Sequence, residues 1–374
     1  MKAIVNAVVV RPDSVIKDGT VIFDENIKEV GQNLHIGDAE VIDAKGSYVM
    51  PGFIDIHIHG YMGCDTSDGD RDGLIKIARN LTRNGVTAFC PTTMTVAMSD
   101  IQKALDLIGE LKEKNDGAKI LGANVEGPFI NPKKKGAQDD KYIKAPDIDF
   151  VMQNAENIKL VTLAPETDMD LKFTKYVSHN TDIAISVGHT DATYEQTSAA
   201  FKSGARHVTH LFNAMTPFSH RAVGVIGAAL ENDNVSCELI ADTFHISPVL
   251  FGIVERLKGD KLVLITDCMR AGGMPDGEYT LGGQPVTVRG IECRLKDGTI
   301  AGSILTLNGA VRNFLKNTDL PIYKVVNMAS LNPSRVIGED TRRGSIEVGK
   351  YADLVIADGD VNIKSTIIHG EKQF

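Results

Sequence analysis

The sequence has no CxxC pair. Its five cysteines, Cys64, Cys90, Cys237, Cys268 and Cys293, are scattered and odd in number. That spacing excludes a disulfide scaffold and points to a reducing compartment. No stretch approaches the ~18 apolar residues of a membrane span. The apolar run at residues 3–10 is cut off by Arg11, Pro12 and Asp13, too early for a typical secretory signal peptide. A soluble cytoplasmic protein with no membrane partner is therefore expected. A basic excess is also missing: 40 Lys and Arg face 49 Asp and Glu, a net charge of −9. Nucleic-acid binding, which needs a basic face, is disfavoured. A small anion held by a few local donors remains compatible with that charge. No linker rich in proline, glycine or serine divides the chain.

What is present is globular in character, with 43% hydrophobic and 24% charged residues in 374. The length suits two to three folding units, or one barrel of about 250 residues with a smaller module. Residues 1–52 read as short strands punctuated by Gly31, Gly37 and Gly46. The same texture returns at residues 344–350, 352–357 and 366–370. Both chain ends are thus expected to build one small β-module, 1–52 with 344–374, around a central unit at 53–343.

The central unit alternates. Strand-like apolar runs fall at 53–59, 86–91, 120–125, 160–164, 183–187, 207–212, 236–241 and 262–266. Most are too apolar to be half-exposed, as in a buried parallel sheet. Helical stripes lie between or after them: Leu74, Ile77, Ala78 and Leu81; Ile101, Leu105 and Ile108; Leu307, Val311 and Phe314. Eight such units predict an α/β fold of the (β/α)8 TIM-like barrel type. The same alternation permits an open doubly wound sheet. Residues 289–301, with a turn at Lys296-Asp297-Gly298-Thr299, read as a hairpin inserted after the eighth strand.

The polar residues cluster at the C-terminal ends of these runs, where barrel enzymes keep their chemistry. The first ends in His57-Ile58-His59, and strand alternation puts both imidazoles on one face. The third ends in Glu126, ahead of Gly127-Pro128. His189 follows the fifth, His210 lies in the sixth, and Asp267 follows the eighth. Each alone could be structural: a core histidine, a solvated glutamate, a helix-capping aspartate. Four histidines and two carboxylates at the ends of five strands are hard to assign to packing. Such N/O ligands without paired cysteines suit a divalent metal, zinc, iron, manganese or cobalt. The run Lys133-Lys134-Lys135 reads as a solvated charge patch that could raise the potential near an anion.

Gly52-Phe53-Ile54-Asp55-Ile56-His57-Ile58-His59-Gly60, after Val49-Met50-Pro51, resembles the first-strand signature of the amidohydrolase superfamily. Gly344-Ser345-Ile346-Glu347-Val348-Gly349-Lys350-Tyr351-Ala352-Asp353-Leu354-Val355 resembles its closing β-module. Within it, Val125-Glu126-Gly127-Pro128-Phe129, Lys134-Lys135-Gly136-Ala137, His210-Leu211-Phe212-Asn213-Ala214-Met215 and Thr266-Asp267-Cys268-Met269-Arg270-Ala271 are similar to the N-acetylglucosamine-6-phosphate deacetylase family. The resemblance implies a barrel with a small β-sandwich module made by both termini. It also implies a homodimer that hydrolyses the acetamide of a phosphorylated amino sugar. Glu126, His189 and His210 match the family's principal metal ligands. His57 and His59, with Glu126 and Asp267, imply a second ion per subunit. Asp267 matches the acid/base. Substrate contacts fall on Ala137, Asn213, Ala214, Arg221, His245, Ile300, Ala301 and Gly302. Two departures stand out: Thr243 where the family often has glycine in the segment before His245, and Cys268 where alanine is frequent. The galacto epimer and N-acyl amino acids are alternative substrates under the same resemblance. A non-catalytic barrel is the rival of a different class, and it usually loses ligands that this chain keeps.

Overall fold

The computed structural model describes residues 1–374. Eight parallel strands follow one another around a barrel: β1 (Phe53–Ile58), β2 (Val86–Thr93), β3 (Ala123–Glu126), β4 (Ile158–Leu163), β5 (Ala184–Val187), β6 (His207–Val208), β7 (Ser236–Ile240) and β8 (Leu262–Ile265). β1 pairs with β2, and the order then runs without a crossover to β8. Past the end of β8 a parallel bridge joins Cys268 to Ile58, and the Asp267 N–H donates to the His57 carbonyl at 2.9 Å. That contact closes the barrel and excludes an open sheet. A helix follows each strand, and the apolar stripes face inward. Leu74, Ile77, Ala78 and Leu81 are buried in Arg71–Leu81, as are Ile101, Leu105 and Ile108 in Met98–Leu111. Each large apolar side chain buried this way contributes about 1.5–3 kcal/mol.

Two strand expectations shift. The run over 120–125 splits into Lys119–Ile120 and Ala123–Glu126 around Gly122, whose φ of 134° breaks the extended chain. The run over 207–212 is strand only at His207–Val208. The chain then turns out of the sheet, with His210 at φ 30° and Phe212 at φ 81°. That turn aims His210 across the barrel mouth. The barrel interior is filled by Ile54, Ile56, Ala88, Cys90, Leu160, Ala184, Ile240, Val263 and Ile265, with Val336 and Ile337 in the same cluster.

Both termini share a second sheet. Leu354–Ala357 runs antiparallel to Tyr48–Pro51, with Leu354 opposite Pro51 and Ala357 opposite Tyr48. Lys2–Val10 pairs in parallel with Glu40–Asp43 near its start and with Tyr48–Pro51 near its end. The sheet folds over a sandwich core that includes Ile4, Val9, Phe23, Val49, Leu354 and Ile356. Residues 344–350 form turns, not the expected strand, although Ile346 reaches into that core. The insert after β8 is larger than a hairpin. It is a three-stranded antiparallel sheet, Gly277–Leu281, Gln284–Arg289 and Glu292–Leu295, starting well ahead of residue 289. The expected turn is present, with the Leu295 N–H bonded to the Thr299 carbonyl. No helix is long and apolar enough to cross a membrane.

Candidate active site

The six candidate ligands come together at the C-terminal mouth of the barrel, and all are buried. Glu126, at the end of β3, is the hub. Its Oε1 lies 3.1 Å from His189 Nε2, 3.0 Å from His210 Nε2 and 3.4 Å from His57 Nε2. Its Oε2 lies 3.3 Å from His59 Nε2. Asp267 Oδ1 approaches His59 Nε2 at 3.1 Å and His57 Nε2 at 3.5 Å. Two overlapping triads, His57–His59–Glu126 and Glu126–His189–His210, each gather their ligand atoms within 4.8 Å. His189, His210 and Asp267 have φ of 48°, 30° and 50°, in the left-handed region. Such a conformation costs a non-glycine residue about 1–2 kcal/mol. Three strained residues at one centre mark a functional constraint.

The donor set fits a divalent cation. His189 Nδ1 faces the Lys134 carbonyl at 2.9 Å, His57 Nδ1 faces a Glu238 oxygen at 2.8 Å, and His59 Nδ1 faces the Thr92 carbonyl at 3.3 Å. Carbonyl and carboxylate oxygens only accept, so these nitrogens donate. A neutral imidazole then has only a lone pair left on Nε2. Three such lone pairs point at the same carboxylates, and His57 Nε2 has no hydrogen-bond partner at all. Lone pairs against carboxylate oxygens repel unless protons or a cation lie between them. In the protein alone, protons on His57 and His59 fill that role. Burial would push His57 down, but the Glu238 and Glu126 carboxylates raise it to about 9. His59 is also burdened by burial, yet Asp267 and Glu126 hold it well above its usual value. Burial opposes the charge on Glu126 too, but the His189 and His57 imidazoles keep it well below the normal carboxylate range. A cation supplies the same positive charge and releases those protons.

Several supporting residues were not legible as functional in the sequence. Gln138 donates from Nε2 to Glu126 Oε2 at 2.6 Å and accepts the Thr95 N–H at 2.6 Å, which fixes the hub. Glu238 in β7 contacts His57 and His207, and the only signal for it was a lone carboxylate inside an apolar run. Asp242 binds His245 Nδ1 at 2.6 Å and the N–H groups of Phe244 and His245. Thr243 takes φ 69°, so the chain keeps a glycine-like turn before His245 with a β-branched residue in it. Cys268 is wholly buried, so the second departure leaves a small packing residue in place.

Above the cluster lies a cavity of about 300 Å³. Ala137, Asn213, Ala214, His245, Ile300 and Gly302 line it, together with Met94, Phe212 and Asp267. Two residues of the expected contact set do not. Ala301 is fully buried in the small core beneath the three-stranded insert. Arg221 is exposed on the loop after β6, outside the cavity. No lysine or arginine lines the cavity. The lysine run does not supply a free field either: Lys133 and Lys134 lie 3.9 and 3.5 Å from Asp191, and Lys135 lies 3.1 Å from Asp140. A larger groove, about 660 Å³, crosses the terminal sheet but gathers no convergent ligands.

Comparison with known proteins agrees with this geometry. The chain is 41% identical to the N-acetylglucosamine-6-phosphate deacetylase of Bacillus subtilis (strain 168), over 98% of this chain and 95% of the relative. It is 35% identical to the N-acetylgalactosamine-6-phosphate deacetylase of Escherichia coli O157:H7, over 88% and 89%. Among solved structures it is similar to a mutant N-acetyl-D-glucosamine-6-phosphate deacetylase from Mycobacterium smegmatis in complex with N-acetyl-D-glucosamine-6-phosphate. That match has a TM-score of 0.93 at 28% identity and covers 100% of this chain and 99% of the other. The amidohydrolase family profile matches residues 48–372. It starts in the terminal sheet, runs through the whole barrel and returns to that sheet, and the chain belongs to the amidohydrolase family.

Proposed function

We propose that this protein hydrolyses the acetamide of N-acetyl-D-glucosamine 6-phosphate to D-glucosamine 6-phosphate and acetate. One observation carries the reading: Asp267 faces a sugar-sized cavity while sitting 3.1 Å from a histidine of a cation-ready cluster. Glu126, His189 and His210 would hold one divalent ion; His57 and His59, with Glu126 and Asp267, would hold a second. When bound, the ions supply Lewis acidity toward the acetyl carbonyl and a water of lowered pKa. Burial works against an ionised Asp267, but its hydrogen bond to His59 and the charge of His57 keep its carboxyl below the ordinary value. It is therefore ready to accept the proton of the attacking water. It then delivers that proton to the departing amine, which leaves poorly unprotonated. His245 gives Nδ1 to Asp242 and lines the cavity, so its neutral ring offers an Nε2 lone pair to a substrate hydroxyl and donates there only when protonated.

The 6-phosphate is assigned to Arg221, His245 and the backbone of Asn213 and Ala214. A phosphate is best met by a fixed cation, and no lysine or arginine lines the cavity. Arg221 is exposed outside the cavity of its own chain, a position suited to a homodimer in which it serves the neighbouring site. In this reading residues 53–343 form the catalytic unit, 1–52 with 344–374 form its supporting module, and five free cysteines suit the cytoplasm. The Escherichia coli relative supports a second reading, in which the galacto epimer is preferred. Acetate release from both 6-phosphates, with zinc, iron, manganese and cobalt added in turn, tests both. Turnover of the gluco sugar at a higher kcat/KM supports the first reading, a galacto preference supports the second, and no release with any metal refutes both.

A further inference from the structure

Glu238 lies in β7 between Cys237 and Leu239, with its side chain 1% exposed, below the cavity and out of reach of substrate. A buried carboxylate of this kind is costly unless every lone pair is used. Here they are used on two imidazoles, His57 and His207, and on the His210 backbone. Oε2 accepts from His57 Nδ1 at 2.8 Å and from the His210 backbone N–H at 3.0 Å. Oε1 accepts from His207 Nε2 at 3.0 Å, and His207 Nδ1 is held in turn by Ser236 Oγ at 2.8 Å. A single oxygen thus touches one member of each ligand triad. With its Nδ1 proton committed to Glu238, a neutral His57 can present only a lone pair on Nε2. That atom is the unpartnered one, 3.4 Å from Glu126 and 3.5 Å from Asp267. The second contact holds His210 at its strained φ of 30°.

We propose that Glu238 is a positioning residue that selects Nε2 of His57 as a metal ligand and couples the His57–His59 subsite to the backbone of His210. His207 and Ser236 hold Glu238 in place for this purpose. The inference rests on the divalent-cation reading above. Glutamine at this position has one acceptor oxygen and no charge. If its amide NH2 turned toward His57, it would force the proton onto Nε2 and remove the ligand lone pair. If it turned toward His207, His57 would keep its tautomer but lose the anion that makes it a strong donor. In either orientation the His57–His59 subsite weakens, while Glu126, His189 and His210 keep their ligand atoms.

The test is zinc binding, measured with buffered free zinc on the full chain, for wild type and Glu238→Gln. Wild type is expected to take two zinc ions. In the variant, affinity for one of the two should fall by about ten- to a hundredfold, the range for loss of such an outer partner. The other affinity should fall less, because there Glu238 touches only the backbone N–H of His210 and no ligand ring. A variant with both affinities unchanged and only a lower Tm makes Glu238 merely structural and overturns the inference. If the variant does not fold, the zinc-loaded crystal structure of the wild type decides. His57 bound through Nε2 with Nδ1 on Glu238 supports the inference. Zinc on Nδ1, or on Glu238 itself, overturns it. A wild type that binds no zinc at this centre fails at an earlier step and refutes the cation reading instead.

Discussion

Replacing Asp267 by asparagine isolates the proton-transfer role from the fold. Asp267 sits at φ 50°, and asparagine tolerates that left-handed conformation as well as aspartate does. The amide also fills the same volume, so its oxygen can stay near the Oδ1 position, 3.1 Å from His59 Nε2. What it cannot do is take the proton from water and return it to the amine. General acid–base catalysis contributes about 10²–10⁴ in rate, which corresponds to about 2.7–5.4 kcal/mol of barrier. The expected result is a kcat lowered by that factor with KM little changed. A neutral oxygen is also a weaker cation ligand, so metal content must be measured by elemental analysis beside acetate release. Stability offers a second readout. The native carboxyl is held below its usual value, so the unfolded chain binds the proton first as pH falls. The stabilisation from the ionised Asp267 is complete at neutral pH and fades as pH drops through the native value. The metal-free variant should accordingly melt below wild type at pH 7 and approach it in acid. A fully metal-loaded Asp267→Asn enzyme within tenfold of wild-type kcat would refute the assignment.

Three further perturbations have distinct signatures. Arg221→Ala should lower kcat/KM for the phosphorylated sugar far more than for N-acetylglucosamine; an equal loss on both substrates would make Arg221 structural. Thr243→Gly should stabilise the protein, because relief of about 1–2 kcal/mol of left-handed strain exceeds the roughly 0.5–1 kcal/mol entropic cost of glycine; the exposed threonine has no packing to lose, and a lower midpoint in denaturant unfolding would contradict this. Glu339 is buried, and despite the opposing cost of burial Lys159, Arg343 and Arg342 depress its carboxyl below the usual value. Glu339→Gln should cost at most about 3 kcal/mol at pH 7, since it removes a partner from the buried Arg343 and from the part-exposed Lys159 and Arg342. Its contribution is present above the unfolded-state value and lost as pH falls through the native one, so the deficit should shrink in acid; a pH-independent deficit would show that charge is not the cause.

Much of this molecule is written locally. Apolar runs with helical stripes between them mark the eight units, because a strand buried on both faces must be apolar and a helix covering it must be apolar on one side. His57, His59, Glu126, His189, His210 and Asp267 stand out because each interrupts or ends such a run, where a charge or imidazole is costly unless used. Local pattern carries no information on what meets across the barrel. Whether the sheet closes depended on a bridge between Ile58 and Cys268, residues remote in the chain. Glu238 looked like an odd member of a core strand until the fold placed it 2.8 Å from His57, 181 positions away. Arg221 carried a plausible contact in the sequence, yet the loop after β6 leaves it outside its own cavity. The turns at residues 344–350 replaced an expected strand: Gly349 N–H binds the Ile27 carbonyl and Ile27 N–H the Lys350 carbonyl, while Leu354–Ala357 takes the edge of Tyr48–Pro51. The sequence determined which residues could not be ordinary core. Only the tertiary structure decided which lone pairs face one another, because that depends on the register and closure of strands far apart in the chain.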